Sequence, residues 1–404
     1  MNPALAGAAI RRERLRRDWS QEGLCRGLCS VSYLSKIENG AAGADAQLIA
    51  ALLGRLGLSA EAEPADAALI ERSYEAFFAL DSAKGAACLS ALEEAMPRLE
   101  RTLLAADAEL LEIVLSDGGR PAPDWPERSL GLRQRSLMLL LRGEPGEAWR
   151  LSGEPVFALI AGDAEFNCGD YISAADSFGS ACRAAAELGR VRVMLSARLM
   201  MGNCCSNSGQ YEGMERHYRI AERIAADLGD AGALRTIRYN RASTAIELGR
   251  AEEGYAYFSA LPEPTAMELH KLAAACELLG KREEALAALG RVSAAPREES
   301  AVENAVVDEM CAMLRWRLEQ PDYLSSAEYG RRLLALFQRL RGELPPGYAG
   351  FHLGRVLEWL RANRQYKRAL DILKDFPATT IKDGSAAALG INFPKTAAFT
   401  LLTS

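Results

Sequence analysis

Between Ser20 and Lys36 the chain gathers side chains suited to hydrogen-bonding a polar partner: Ser20 and Gln21, then Ser30, Ser32, Tyr33 and Lys36, with the methyl-bearing Val31 among them. Short hydroxyls and a small apolar group suit base edges in a major groove, and lysine suits a base or a phosphate. Support for catalysis is thin by comparison. His217, His270 and His352 are far apart and lack HExxH spacing, and no glycine-rich phosphate loop occurs. Nine cysteines include the pairs Cys25/Cys29 and Cys204/Cys205. No CxxC set completes a zinc site, so they read as reduced thiols used for packing, and neither cofactor nor metal is expected.

The elements that would hold these side chains follow from caps and breakers. Ser20 reads as the N-cap of a helix over QEGLCRGL, residues 21–28, and Cys29 with Ser30 makes a short turn. Ser30 then caps the helix VSYLSKIEN, and Gly40 supplies a left-handed residue to end it. Leu24, Leu28, Leu34 and Ile37 fall on inward faces, which leaves Val31, Ser32, Tyr33 and Lys36 outward. Two short helices joined by a tight turn, with supporting helices on either side, make a helix-turn-helix. Ser20 and Gln21 lie at a helix start where they can donate to phosphate, and Arg11, Arg12 and Arg16 add attraction independent of sequence.

Charge agrees weakly. The 404 residues carry a net −6, yet residues 1–60 hold eight Lys or Arg against five Asp or Glu, so the remainder carries −9. No apolar run approaches the roughly 20 residues of a membrane span, and the N-terminus has no signal-peptide core. A cytoplasmic protein without a membrane partner is expected. Gly57, Ser59 and Pro64 interrupt the periodicity between residues 56 and 68. The expected layout is a DNA-binding domain over 1–60, a linker over 61–68, a repeat domain over 69–378 and a tail over 379–404.

Apolar residues recur at three- and four-residue spacing almost throughout, so the chain reads as all-α. FNCGDYISAADSFGSA, SNSGQYEGMERHYRIA and IELGRAEEGYAYFSAL align on Gly169, Gly209 and Gly249, two intervals of 40, with weaker copies beyond. Each copy reads as helix, tight turn and second helix. Tyr171, Phe178, Tyr211 and Tyr218 fit packing positions. Such pairs cannot bury their apolar faces alone and must stack. This resembles the tetratricopeptide repeat stretched beyond its usual length, and implies a right-handed α-superhelix; a non-repeating helical bundle is the alternative.

A concave surface of this kind suits an extended peptide, whose amides need partners that both donate and accept. Asn203 and Ser243 sit six residues before Gly209 and Gly249, and Asn240 shares a face with Ser243. Asn207, like Asn167, lies just before its turn, where capping competes. Arg238, Arg198 and Lys271 are candidate anchors for a carboxylate. For each asparagine an inter-helix hydrogen bond is the competing role.

SQEGLCRGLCSVSYLSKIENG resembles the Xre-type helix-turn-helix, with one residue fewer in the turn. Together with the repeats it looks most like the peptide-pheromone receptors of the Rgg, NprR, PlcR and PrgX group. The resemblance implies phosphate contacts by Gln21 and Ser30, base contacts by Val31, Ser32, Tyr33 and Lys36, and a structural ion pair between Arg14 and Glu38. It also implies a homodimeric, quorum-sensing transcription regulator whose partners are double-stranded operator DNA and a short signalling oligopeptide. A protein-interaction module that sequesters a partner is the alternative. GSAAALGINFPKTAAFTLLTS, at 384–404, carries one charge, Lys395. It reads as a disordered end, an element packed on the last repeat, or a tethered occupant of the groove.

Overall fold

The computed structural model describes residues 2–116, 120–297, 300–344 and 346–374. The expected tail and the end of the repeat domain at 378 lie outside the described residues. The fold is all-α: the described residues form 21 α-helices and no strand. Among the described residues no helix is long and apolar enough to cross a membrane.

Helix α1 (Pro3–Arg16) begins because Asn2 Oδ1 accepts from the Ala4 and Leu5 amides while Pro3 occupies the first turn. α2 (Gln21–Cys25), α3 (Val31–Glu38) and α4 (Ala46–Arg55) follow, capped by Ser20, Ser30 and Asp45. α2 is shorter than the expected 21–28. The chain leaves the helical region at Arg26, whose ψ is 119°, Gly27 at φ +75° completes the turn, and Arg55 holds it by donating to the Leu24 and Arg26 carbonyls at 2.7 Å each. Leu24, Leu34, Ile37, Ile49, Leu52 and Leu56 close a small core together with Ala6 and Ile10 of α1.

The other face of α1 belongs elsewhere. Leu5, Ala8 and Ala9 enter a second core with residues of α5 (Pro64–Phe78), α6 (Ser82–Leu99), α7 (Ala105–Leu115) and α8 (Leu132–Leu141). Residues 61–68, expected as a linker, therefore include the first turn of α5, started by Pro64. Ser59 also donates its amide to the Arg101 carbonyl at 2.7 Å. The four-helix domain is thus built onto the helices that follow it.

The rest of the chain is a run of helix pairs. α9 (Pro145–Ser152) precedes α10 (Pro155–Asn167) with α11 (Tyr171–Leu188), α12 (Val191–Asn207) with α13 (Tyr211–Leu228), and α14 (Ala231–Glu247) with α15 (Ala251–Ser259). α16 (Ala266–Leu278) with α17 (Arg282–Arg291), α18 (Ala301–Glu319) with α19 (Ala327–Glu343), and α20 (Pro346–Ala362) with α21 (Tyr366–Lys374) complete it. Gly169, Gly209 and Gly249 all have φ between +70° and +82°, as tight turns between paired helices require. Tyr171, Phe178 and Tyr218 are buried and Tyr211 is half-buried. A further 40-residue regularity escaped the sequence reading. A Cβ at Gly162 would lie 2.7 Å from the Phe178 ring, and one at Gly202 would lie 2.3 Å from the Tyr218 ring, so each glycine is the slot for an aromatic 16 residues later.

Contacts divide the chain into two units: Met1–Gly162 with Ser177–Ala197, and residues 163–176 with the described residues from Arg198 onward. The four-helix domain lies in the first unit, and all seven expected peptide-contact residues lie in the second.

Candidate nucleic-acid interface and ligand cavity

In the first unit, burial sorts α3 into two faces. Leu34 and Ile37 are fully inside, whereas Val31, Ser32 and Lys36 are exposed, Val31 at 42% despite being apolar. Ser30 caps the helix, its Oγ accepting from the Tyr33 amide at 3.2 Å, and Ser20 does the same for Gly23 at 3.0 Å. Both serines are exposed at helix starts, where further polar contact is open to them. Tyr33 is half-buried and its hydroxyl donates to the Gly43 carbonyl at 2.8 Å, which fixes the loop after α3.

What aims this face is a buried carboxylate. Glu38 accepts from Arg14 Nε at 2.6 Å and Nη2 at 2.9 Å, and from Gln21 Nε2 at 2.8 Å. Arg14 Nη1 also donates to the Trp19 carbonyl at 2.8 Å. One group thus pins α1, the approach to α2, α2 itself and α3. The ion pair expected between Arg14 and Glu38 is present. Gln21, expected at phosphate, spends one amide hydrogen on that network. Gly7 lets α1 approach α3 so closely that a Cβ there would lie 2.1 Å from the Ile37 carbonyl oxygen.

The three arginines expected to attract DNA also have partners within the protein. Arg12 is bonded to Glu109 at 2.7 Å and sits 4.6 Å over the Trp125 ring, Arg16 pairs with Glu13, and Arg11 donates to Asn39 at 3.0 Å. Arg12 and Arg16 are thus paired with carboxylates, whereas Arg11 meets only a neutral amide and keeps its charge. Arg16 and Arg17 hold the Glu13 carboxyl below its ordinary value, the Arg16 hydrogen bond contributing most. Arg26, which the sequence reading passed over, is exposed in the turn before α3 and has no ion pair among the described residues. The signal was available: a basic residue beside the turn glycine that precedes the next helix.

Residues 5–65 match a family of helix-turn-helix domains. That match and this geometry make the first four helices a helix-turn-helix domain, the type that binds DNA in transcription regulation. No curated protein and no solved structure matches the chain.

In the second unit a cavity of about 190 Å³ is lined by Asn203, Asn207, Asn240, Ser243 and Lys271, five of the seven residues expected to meet a peptide. Asn203 Oδ1 already accepts from Tyr218 Oη at 2.7 Å and from Asn240 Nδ2 at 3.0 Å, and Ser206 bonds Thr244 at 2.9 Å beside them. The two asparagines thus tie α12, α13 and α14 together, the competing role weighed for them. Ser243 is buried and Asn207 half-buried. Lys271 is only 6% exposed, its ammonium 3.1 Å from the Phe351 ring centre, and burial pulls its pKa well below the ordinary lysine value. Arg198 and Arg238 are not in the cavity. Arg198 lies 3.4 Å from His217 Nδ1, and exposed Arg238 is 3.8 Å from Glu222. Burial also lifts the Cys204 thiol to about 12, so it is a packing group and not a reactive thiolate.

Proposed function

We propose that the protein is a cytoplasmic, homodimeric transcription regulator that docks α3 in the major groove of operator DNA and is switched by a short signalling peptide held on tetratricopeptide-like helix pairs. The observation that carries the DNA half is the outward face of Val31, Ser32 and Lys36 beside the Glu38 network that holds it rigid. Ser20, Ser30 and Gln21 flank that face for phosphate, and Arg26 joins them. Two such domains about one DNA turn apart would read the halves of a near-palindromic site.

The peptide half rests on the donor-rich cavity around Lys271. At about 190 Å³ it has room for one side chain or a terminal carboxylate, so an extended peptide would lie outside it and insert one group. Lys271 is buried in that lining, with Glu247 in the same wall, and burial disfavours its charged form, so a bound carboxylate would favour its ammonium. Only a difference in affinity between two arrangements of the helix pairs would turn that binding into a switch. Selection of operator fragments from random duplexes, followed by binding with Ser32→Ala/Lys36→Ala protein, tests the DNA half. Loss of sequence selection is expected; retained selection would move the function to the interaction-module reading. A thermal-shift screen of short peptides on Lys271→Met protein tests the other half.

A further inference from the structure

A second cavity in the same unit, of about 400 Å³, lies within the range of small-ligand sites. Its polar groups are mostly spoken for. Glu277 accepts from Arg317 at 2.8 and 3.0 Å and from Arg355 at 2.9 Å, and Arg355 also reaches Glu358 at 3.1 Å. Two are not. His270 Nδ1 and His352 Nε2 are buried without a hydrogen-bond partner, in side chains 1% and 6% exposed. Their rings lie 5.7 Å apart and both stack edgewise on Phe351, at 6.0 and 5.3 Å. A buried ring nitrogen without a partner carries a desolvation cost that a ligand atom would remove.

The surroundings narrow the ligand. Ile246, Ala274, Leu278 and Phe351 offer apolar walls. No group of three metal-ligating side chains occurs among the described residues, so two imidazoles stand without the further ligands a metal needs. The charged groups that line it are Glu247 on α14, Glu277 on α16, Arg317 on α18, and Arg355, Glu358 and Arg361 on α20, three of each sign, and Lys271 lies near both rings with burial disfavouring its charged form. Arg361 is exposed at the rim, with no carboxylate within 4 Å among the described residues. That rim guanidinium is the one cation there without a carboxylate beside it, a match for a single negative charge rather than a phosphate dianion.

We propose that this cavity binds a small organic monocarboxylate with an apolar, ring-sized body, its carboxylate received by His270 and His352 and its body packed along Phe351. The site adjoins the smaller cavity, with Glu247 lining both, but the proposal needs neither peptide nor DNA. Burial holds both imidazoles well below their ordinary value, helped at His270 by His352, Lys271 and Arg317 and at His352 by Lys271, Arg317 and Arg355. A bound carboxylate reverses that preference, so binding takes up a proton from solvent.

Isothermal titration of the full chain with benzoate and 4-phenylbutyrate, each in two buffers of different ionisation enthalpy, tests this. Saturable binding of at least one acid, with a buffer-dependent heat of the sign of proton uptake, is the expected result. Benzamide should not bind, and His352→Gln should weaken the acid by about tenfold or more. Should that variant fail to fold, Arg361→Ala at the exposed rim takes its place, with a loss of several-fold expected. Absence of saturation by either acid at about 10 mM, equal binding of benzamide, or unchanged affinity in the folded variant would overturn the proposal.

Discussion

Two polar knots hold the two regions of interest, and they spend their functional neighbours differently. In the DNA-binding domain the Arg14–Glu38–Gln21 knot lies behind α3 and leaves Val31, Ser32 and Lys36 free in front. Around the smaller cavity the Asn203–Tyr218–Asn240 knot is made from the candidate contacts themselves. A group behind a surface can be optimised for rigidity alone, whereas a group within it must divide its hydrogen bonds between fold and ligand. The first arrangement is what fixed, rigid-body docking needs. The second suits a site whose packing responds to what it binds.

The largest expected effect tests the first knot. Glu38→Ala leaves the Arg14 guanidinium buried without its carboxylate, and should destabilise the four-helix domain by about 3–5 kcal/mol, read as a fall in melting temperature with loss of DNA binding. Because α1 also feeds the second core, the loss should extend to the helices through α8 in hydrogen exchange. Melting confined to α2–α4 would show that the two cores are energetically separate.

Asn203→Ala tests the second knot. It removes the acceptor for Tyr218 Oη and Asn240, and leaving those donors unpaired should cost about 1–3 kcal/mol. Asn207→Ala, with no such pair to break, should cost little. If Asn203→Ala weakens peptide binding and leaves stability unchanged, the asparagines are ligand groups first and the contrast between the knots fails.

Much of the first region was legible because short-range chemistry writes it: Ser20 and Ser30 as caps, Gly40 at φ +64°, and the split of α3 into buried and exposed faces. The α2 end at Cys25 was missed because apolar spacing continues through Leu28, and only the backbone shows that the chain has left the helix at Arg26. The partners of Arg12 were illegible for another reason. Glu109 and Trp125 lie about a hundred residues further on, and no local pattern pairs them with α1. The helix pairs were read from the turn glycines, whereas the partners of Asn203 depend on which helices stack. Lys271 was read as a candidate anchor for a carboxylate, and nothing in its neighbourhood in sequence shows that Phe351 of α20 covers it.

Acid should separate the regions. All three histidines lie at 217 or beyond, and His217, His270 and His352 are each held below their ordinary value, first by burial. The folded-state value is depressed, so as pH falls through about 6.5 the unfolded chain binds protons that the folded chain refuses, and stability is lost. Each buried ring should contribute up to about 1.4 kcal/mol per pH unit below that point. Denaturant midpoints from pH 7.5 to 5.5 should therefore fall, and fall less steeply in His270→Phe. Hydrogen exchange at pH 5.5 should open α16 and α20 before α1–α4; the reverse order would place the acid-labile knot in the DNA-binding domain.

The smallest effect is the most selective. Lys36 is exposed and makes no ion pair among the described residues, so Lys36→Ala should leave the melting temperature within a degree or so and act on DNA alone. If Lys36 meets a phosphate, affinity for every duplex falls together and the slope of log K against log salt drops by about 0.9. If it meets a base, affinity for the selected operator falls by about tenfold or more while non-specific binding barely changes. Arg11→Ala is the matched control. Its guanidinium is already bound to Asn39, so removing it should not reproduce the full salt effect of Lys36→Ala. An equal change in slope for both variants would mean that the arginine lets go of Asn39 to reach DNA, and that the front of this domain is less fixed than the Glu38 knot behind it implies.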